Sequence, residues 1–347
     1  MTDFEPPLRL MLDGGALASN WKALNARSGS AQAGAAVKAD GYGLGAREVA
    51  ARLRDAGCRD FFVAHWGEAA AIADIIPPAW ISVLNGIQSR DIPHIRALGA
   101  VPVLNTPEQL SLWHASGGGR CHVMFDSGIN RLGIGPEQIS QCHLHDLDID
   151  LLLSHLASAD KDSAQNNAQQ RSFHEQAAAS GAKRLSLANS AGIMLGADYH
   201  YDLTRPGLSL YGGIARSGME AFIKPVASLS ARLLQVRTLP AGAPIGYNAK
   251  HICVSDTTVG TISIGYADGY LRAFSGKGSA HHGAAALPVL GRVSMDLVTI
   301  DISGAAELRE GDWVDVEYDL PTASALTGLS QYELLTNLGT RFERIWR

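Results

Sequence analysis

Short apolar runs alternate with stretches of helical composition through the first two thirds of the chain. Eight runs are typical of buried strands, at residues 33–37, 61–64, 80–84, 101–104, 121–125, 149–154, 184–188 and 207–212. Most of the stretches between them are rich in alanine, leucine and charged residues, as in AREVAARLRDAG at 46–57. This alternation predicts parallel strands joined by crossover helices, in an open doubly wound sheet or a closed barrel. Eight repeats over about 200 residues favour the barrel, so we expect an α/β fold with a (β/α)8 TIM barrel over residues 9–222.

The pattern changes after residue 222. Segments such as TTVGTISIGY at 257–266 and DWVDVEY at 312–318 alternate with a period of two, and turns rich in Gly, Pro and Asp separate them. Alternation without intervening helices predicts an antiparallel, mainly β domain over residues 223–347. The final stretch, SQYELLTNLGTRFERIWR at 330–347, predicts a helix followed by extended chain. The segment GKGSAHHGAAALP at 276–288 predicts a flexible loop.

Charge and composition exclude several classes of partner. The 347 residues carry a formal net charge of −5 and no run of lysine or arginine, so we expect no nucleic-acid partner. The stretch MTDFEPPLRLML lacks a secretory pattern and no apolar run reaches membrane-spanning length, so we expect a cytoplasmic protein without a membrane partner. The four cysteines are widely separated, and the pairs His143–His145 and His281–His282 lack a cysteine or acidic partner at a suitable spacing. Neither a disulfide framework nor a metal site is therefore predicted.

Polar residues follow several of the predicted strands, where a barrel carries its chemistry. They are Lys38 and Tyr42 after the first strand, Arg131 after the fifth, His155 and Asp160 after the sixth, Asn189 and Ser190 after the seventh, and Arg205 at the eighth, which Gly207 and Leu208 also bracket. Singly each has an ordinary explanation: Lys38 as a strand end in water, His155 as a core histidine, Ser190 as a helix N-cap. Together they predict one polar barrel mouth.

The stretch NSAG at 189–192 has the features of a phosphate cradle. Its small residues let an anion approach the backbone, Ser190 supplies a hydroxyl, and a helix starting there would offer unpaired N–H groups. A lysine facing a phosphate site is what pyridoxal 5'-phosphate needs, because the amine forms a Schiff base with its aldehyde. An aminotransferase-like site would place a carboxylate on the pyridine nitrogen, whereas an arginine is the better candidate here.

Eight motifs follow one another over nearly the whole chain: AAVKADGYGLG, FDSGINRLG, SHLASAD, ANSAG, RPGLSLYG, IGYADGY, GRVSMDL and YELLTNLGTR. Together and in this order they resemble the motifs of the alanine racemase family. The resemblance implies a pyridoxal phosphate-dependent isomerase that interconverts L-alanine and D-alanine, the latter for peptidoglycan. It also implies a barrel followed by a mainly β domain onto which residues 1–8 pack, and a head-to-tail homodimer with shared active sites.

The resemblance also implies roles for individual residues. Lys38 carries the cofactor and acts as one catalytic base, and Tyr266 in GYADG matches the second base. Inverting a stereocentre requires one group to take the α-proton and another to return a proton on the opposite face. The remaining matched cofactor-binding residues are Tyr42, His155, Asn189, Ser190, Arg205, Gly207 and Leu208. Arg131, Met295 and Asp296 match substrate-binding positions, the last two supplied by the partner chain.

Two positions depart from the family pattern. Met124 stands where many members have a lysine that supports the arginine matching Arg131, and Thr340 aligns with a phosphate-binding tyrosine. Three other functions remain as alternatives. They are racemisation of serine, lysine or arginine on the same scaffold, decarboxylation on a related scaffold, and non-catalytic binding of the cofactor.

Overall fold

Two structural units make up the computed structural model, which describes residues 4–178 and 180–347. The barrel unit is Ala16–Lys224, and the second unit joins the residues up to Gly15 with Pro225–Arg347. The barrel unit starts later than residue 9, the boundary expected from the sequence, because strand β1 (Leu8–Leu12) pairs within the sheet of the second unit. Of the N-terminal segment 1–8, residues 1–3 lie outside the described residues. None of the described helices is both long and apolar enough to span a bilayer.

The barrel unit is built on short parallel strands. They are β2 (Gln32–Ala33), β3 (Ala35–Ala36), β4 (Phe61–Val63), β5 (Ile81–Val83), β6 (Val101–Leu104), β7 (Arg120–Met124), β8 (Asp148–Leu153), β9 (Arg184–Ser186) and β10 (Leu203–Thr204). The strands β3 to β9 form one sheet in sequence order. The β10 segment joins the two edges of that sheet. The Arg205 N–H donates to the Ala188 carbonyl at 2.8 Å, and the Ala36 N–H donates to the Pro206 carbonyl at 2.9 Å. The predicted parallel α/β barrel is confirmed.

Helices cover the strands of this unit on the outside. They are α1 (Gly14–Arg27), α2 (Ala46–Ala56), α3 (Trp66–Ile72), α4 (Ile92–Leu98), α5 (Pro107–Ala115), α6 (Pro136–Ile139) and α7 (Ala164–Ala177). The amphipathic α2 shows the principle, since Val49, Ala50 and Leu53 are buried while its arginines lie towards solvent. Inside the barrel, Phe62, Val103, Met124, Leu151, Leu153 and Leu203 form one apolar cluster.

The eighth strand was predicted in the wrong place. Residues 207–212 contain a 3-10 turn at Leu208–Tyr211, and the strand lies just before it at Leu203–Thr204. All four turn residues are buried, so their apolar pattern is the same as that of a core strand. Burial alone therefore does not distinguish a buried turn from a buried strand.

A charged network lies at the starts of the barrel strands. Arg184 donates to both carboxylate oxygens of Asp60, at 2.9 and 3.2 Å, and to Asp150 at 2.8 Å. The fully buried ring of His122 lies beside this network, with its Nε2 at 3.1 Å from the Ser82 hydroxyl. Burial lowers the pKa of His122 to about 3, although the charge of Asp150 opposes the shift. His122 is therefore neutral at pH 7.

We expect the pH dependence of stability to reveal this histidine. Its pKa in the folded protein lies below its value in the unfolded chain, so its contribution is complete above about pH 6.5 and falls as the pH drops towards 3. Between pH 6.5 and 5 the wild type should lose about 1–2 kcal/mol more unfolding free energy than His122→Gln. Urea unfolding of both proteins at the two pH values measures the difference. Parallel pH profiles would contradict the assignment.

The second unit is built on a mainly antiparallel sheet that closes on itself. Its later strands are β11 (Ala227–Leu239), β12 (Pro244–Ile245), β13 (His251–Ile252), β14 (Thr257–Ile262), β15 (Ser279–His282), β16 (Ala285–Leu290), β17 (Val298–Asp301), β18 (Trp313–Val316) and β19 (Glu343–Trp346). The strand order of the main sheet is β14-β17-β16-β15-β18-β11-β1-β19, and the long β11 also pairs with β14. Strands β1 and β19 pair in parallel, and β12 and β13 form a separate antiparallel pair. Two helices, α8 (Leu320–Thr327) and α9 (Gln331–Thr336), precede β19, so the predicted final helix and extended segment are both present.

The predicted loop at 276–288 is instead a β-hairpin. Strands β15 and β16 pair from Ser279 with Pro288 to His282 with Ala285. The two residues between the strands begin with Gly283, whose φ of 56° lies in the left-handed region that a tight hairpin turn uses. The glycines that suggested flexibility therefore include the residue that makes the turn.

Candidate active site

The backbone directly after Lys38 adopts the left-handed conformation. Ala39, Asp40, Gly41 and Tyr42 have φ values of 53°, 51°, 62° and 54°. A side chain in this region costs about 1–2 kcal/mol per residue, so the turn needs compensating contacts. The Ala39 N–H donates to Glu68 at 2.7 Å, and the Ala46 N–H donates to Asp40 at 2.8 Å. These contacts fix the backbone on which Lys38 lies at the barrel mouth.

The Lys38 amine lies in an environment that disfavours its charge. Burial lowers the pKa of Lys38 most, and the positive charges of Arg131 and Arg205 lower it further, against the opposing charge of Glu68. A lowered pKa increases the fraction of free amine available as a nucleophile or a base.

Gly207 contacts both Ser190 and Tyr42 closely. The Ser190 hydroxyl accepts hydrogen bonds from the N–H groups of Gly207, at 2.9 Å, and Ser209, at 3.3 Å. A Cβ on Gly207 would lie 2.2 Å from the Tyr42 hydroxyl, so only glycine fits there without movement. The Tyr42 ring stacks on Tyr211 with ring centroids 4.6 Å apart. Leu208 is buried at the start of the following turn.

Gly207→Ala should therefore displace the Tyr42 hydroxyl. We expect about 1–3 kcal/mol of destabilisation from overpacking, and weaker binding of pyridoxal phosphate. Thermal unfolding and titration with the cofactor measure the two effects. Gly304→Ala is the matched control, because an added Cβ there meets nothing within 4 Å. Equal cofactor affinity in both variants would argue against a cradle at Gly207.

Arg205 is a buried cation without a carboxylate partner among the described residues. Its side chain donates to the Ser186 hydroxyl at 2.5 Å and to the Ser154 carbonyl. Burial lowers the pKa of Arg205 to about 10. His155 lies near it, and burial together with the charges of Arg205, Arg131 and Lys38 lowers the pKa of His155 to about 3. The mouth thus combines a neutral imidazole with a poorly solvated guanidinium.

A set of neutral side chains that the sequence analysis missed supports this region. The amide of Gln169 donates to the His155 carbonyl at 3.0 Å and accepts from the Ala157 N–H at 2.8 Å. The hydroxyls of Ser127 and Ser154 lie 2.8 Å apart. Ser127 and Ser154 lie within the motifs FDSGINRLG and SHLASAD, but serine and glutamine are too common on surfaces for their type alone to indicate a site.

The Arg131 loop is held by one carboxylate. Oδ1 of Asp126 accepts from the N–H groups of Gly128, Ile129 and Asn130 at 2.8, 3.0 and 3.2 Å. Arg131 itself is exposed. Met124, at the position where many members of the family have a lysine, belongs to the apolar barrel cluster.

The loop after β9 carries Asn189. Its side-chain oxygen accepts from the Gly192 N–H at 2.9 Å.

Tyr266, Met295 and Asp296 belong to the second unit. The Tyr266 N–H donates to the Ser294 carbonyl at 3.0 Å, and the Ala267 N–H donates to the Met295 carbonyl at 3.0 Å. The Arg272 guanidinium lies 5.0 Å from the centre of the Tyr266 ring. The structure therefore brings these three predicted residues together, and it gathers the other nine in the barrel unit. Thr340 is exposed.

An aspartate lies beside the His143–His145 pair. Potential ligand atoms of His143, His145 and Asp146 lie within 4.8 Å of one another, all on exposed side chains. The expectation that this histidine pair lacks an acidic neighbour was wrong, because Asp146 follows it directly. Exposed groups of this kind are common without an ion.

Two family models match consecutive parts of the chain. The alanine racemase N-terminal domain matches residues 12–215, and the alanine racemase C-terminal domain matches residues 226–346. This chain belongs to the alanine racemase family. The predicted family is confirmed, and with it the expectation of an amino-acid racemase.

Similar proteins and a similar solved structure support this membership. A biosynthetic alanine racemase of Agrobacterium fabrum is 40% identical over 366 residues, covering 98% of this chain and 94% of that protein. A catabolic alanine racemase of the same organism is also 40% identical, covering 96% and 91%. The crystal structure of alanine racemase from Bartonella henselae with covalently bound pyridoxal phosphate has a TM-score of 0.92 and 32% identity, covering 99% and 100%. The alanine racemase fold thus extends over both units.

Proposed function

We propose that this racemase interconverts L-alanine and D-alanine with pyridoxal 5'-phosphate attached to Lys38. The observation that carries the proposal is the barrel mouth itself. A lysine amine of lowered pKa lies near the buried cation Arg205, in the unit that also holds the Ser190 and Gly207 cradle. Membership of the alanine racemase family supports the reaction, and the Bartonella henselae relative supports the cofactor.

The residues present fit the cofactor. The close approach of the Gly207 backbone to the Ser190 and Tyr42 hydroxyls suits a phosphate that Ser190, Gly207, Leu208 and Tyr42 would hold. The guanidinium of Arg205 has no carboxylate partner among the described residues, so it is available to donate to a ring nitrogen. His155 would lie beside the ring, and Asn189 would hold the adjoining loop. When bound, pyridoxal phosphate supplies an electron sink that acidifies the α-proton of the amino acid.

Two side chains of this chain would move the proton. The amine of Lys38 serves one face of the α-carbon, and the phenol of Tyr266 serves the other. Arg131 would contact the substrate, and Met295 and Asp296, supplied by the second copy in a head-to-tail homodimer, would lie near its carboxylate. Because the guanidinium of Arg205 keeps its proton at neutral pH, it would leave the ring nitrogen unprotonated and restrain side reactions. By microscopic reversibility the same two groups serve both directions, with the roles of acid and base exchanged.

Proton NMR in deuterated water tests this function directly. The purified protein with pyridoxal phosphate should exchange the α-proton of L-alanine and produce D-alanine, as chiral chromatography would show. A product racemised from serine, lysine or arginine at a higher rate would reassign the substrate, and release of carbon dioxide would reassign the reaction. Cofactor binding without exchange in any amino acid would reject catalysis. Supply of D-alanine for peptidoglycan and a cytoplasmic location remain part of the proposal.

A further inference from the structure

An ion-pair network in the second unit connects three segments of the chain. The fully buried carboxylate of Asp268 accepts from Nε and Nη2 of Arg341 at 2.6 and 2.8 Å. The remaining arm of the same guanidinium, Nη1, donates to Asp296 at 2.7 Å. Arg341 therefore spans the turn that carries Tyr266 and the segment that carries Met295 and Asp296.

The backbone around this network is tightly interlocked. The Gly265 N–H donates to Asp268 at 3.0 Å, and the Gly339 N–H donates to the Asp268 carbonyl at 3.1 Å. A Cβ on Gly265 would lie 2.2 Å from the Met295 carbonyl oxygen, and one on Gly269 would lie 2.5 Å from the Asn337 carbonyl oxygen. A small shift of any of these segments is therefore transmitted to the Tyr266 turn.

We propose that Arg341, through Asp268 and Asp296, is a positioning residue that fixes the Tyr266 phenol and the substrate-binding segment in one geometry. The inference rests on the proposed function. A planar guanidinium can hold one carboxylate with two parallel hydrogen bonds and still reach a second, which an ammonium cannot do. Arg341 also balances the charge of Asp296, which would otherwise repel the carboxylate of an incoming amino acid.

Arg341→Lys is the informative change, because it keeps the charge and removes the fork. We expect kcat to fall about tenfold to a hundredfold, as displaced catalytic groups do. KM should rise because Asp296 loses its partner. The deciding measurement is the isotope effect of each alanine enantiomer labelled with deuterium at the α-carbon. The effect should rise for the enantiomer whose proton Tyr266 takes and should not rise for its mirror image.

The barrel unit offers a matched control. Arg184 also holds a buried carboxylate, Asp60, with two hydrogen bonds. Arg184→Lys should lower the thermal unfolding temperature and leave both isotope effects as in the wild type. A merely structural role for Arg341 would give that same result in Arg341→Lys, and it would overturn the inference.

Two further outcomes keep the test decisive. If Arg341→Lys does not fold, Asp268→Asn weakens the same fork at constant volume and should show the same one-sided isotope effect, whose absence would overturn the inference. If the wild type exchanges neither enantiomer, the proposed function itself fails. A racemising wild type with symmetric effects in a folded Arg341→Lys would reject the positioning role alone.

Discussion

Lys38→Ala should abolish racemisation and the visible absorbance of enzyme-bound pyridoxal phosphate. The variant loses both the attachment point of the cofactor and one of the two groups that exchange the proton, so we expect activity to fall by about 10⁴-fold or more. The barrel itself should persist, because backbone N–H groups anchor the adjoining left-handed turn. That turn is held by backbone contacts to Glu68 and Asp40. Absorbance spectra, chiral assays and thermal unfolding measure the three properties.

A second lysine provides the control for this experiment. Lys183 lies on the surface of the same unit and pairs with Asp148 at 2.6 Å, so Lys183→Ala removes an equal side chain away from the mouth. It should keep wild-type activity and absorbance. Racemisation by Lys38→Ala at the rate of the control would place the reactive amine elsewhere in the chain.

Tyr266→Phe should separate proton exchange from inversion. Only the hydroxyl is lost, and the Arg272 guanidinium can still lie over the ring as it does now. Racemisation should fall by about 10²–10⁴-fold, the usual contribution of one general acid or base. One alanine enantiomer should nevertheless still exchange its α-proton with deuterated water and keep its configuration, since Lys38 can remove and return a proton on its own face.

A second tyrosine of the same unit provides the control for this experiment. Tyr332→Phe, a change at an exposed ring on α9 of the same unit, should leave exchange and racemisation of both enantiomers intact. Equal and small losses for both enantiomers in Tyr266→Phe would remove the phenol from the proposed pair of bases.

Much of this architecture could be predicted because burial imposes simple periods on the sequence. The runs at 61–64 and 101–104 predicted strands β4 and β6, since a strand covered on both faces is apolar throughout. The same rule misplaced the eighth strand, because the turn at Leu208–Tyr211 is equally buried. Period and composition report how deeply a residue lies and carry less information about its backbone angles.

The sequence predicts those site residues whose chemistry requires a particular side chain. It does not predict the backbone angles and long-range contacts that position them. Lys38 and Arg205 were found from their types and places, whereas the left-handed angles of Ala39 and Asp40 leave no trace in residues that rarely adopt them. Asp268 and Arg341 lie within recognisable motifs, but their pairing joins segments far apart in the chain. Only the folded sheet shows that contact.

The pairing of β1 with both β11 and β19 sets an order for folding during synthesis. Every strand of the barrel unit has been made once residue 224 leaves the ribosome, so that unit can close early. Strand β1 is made first, yet its partners at Ala227–Leu239 and Glu343–Trp346 appear only much later. Until then its apolar face has no sheet to join. Strand β1 therefore precedes the whole barrel unit in the chain and is nevertheless among the last strands that can take up their final pairing.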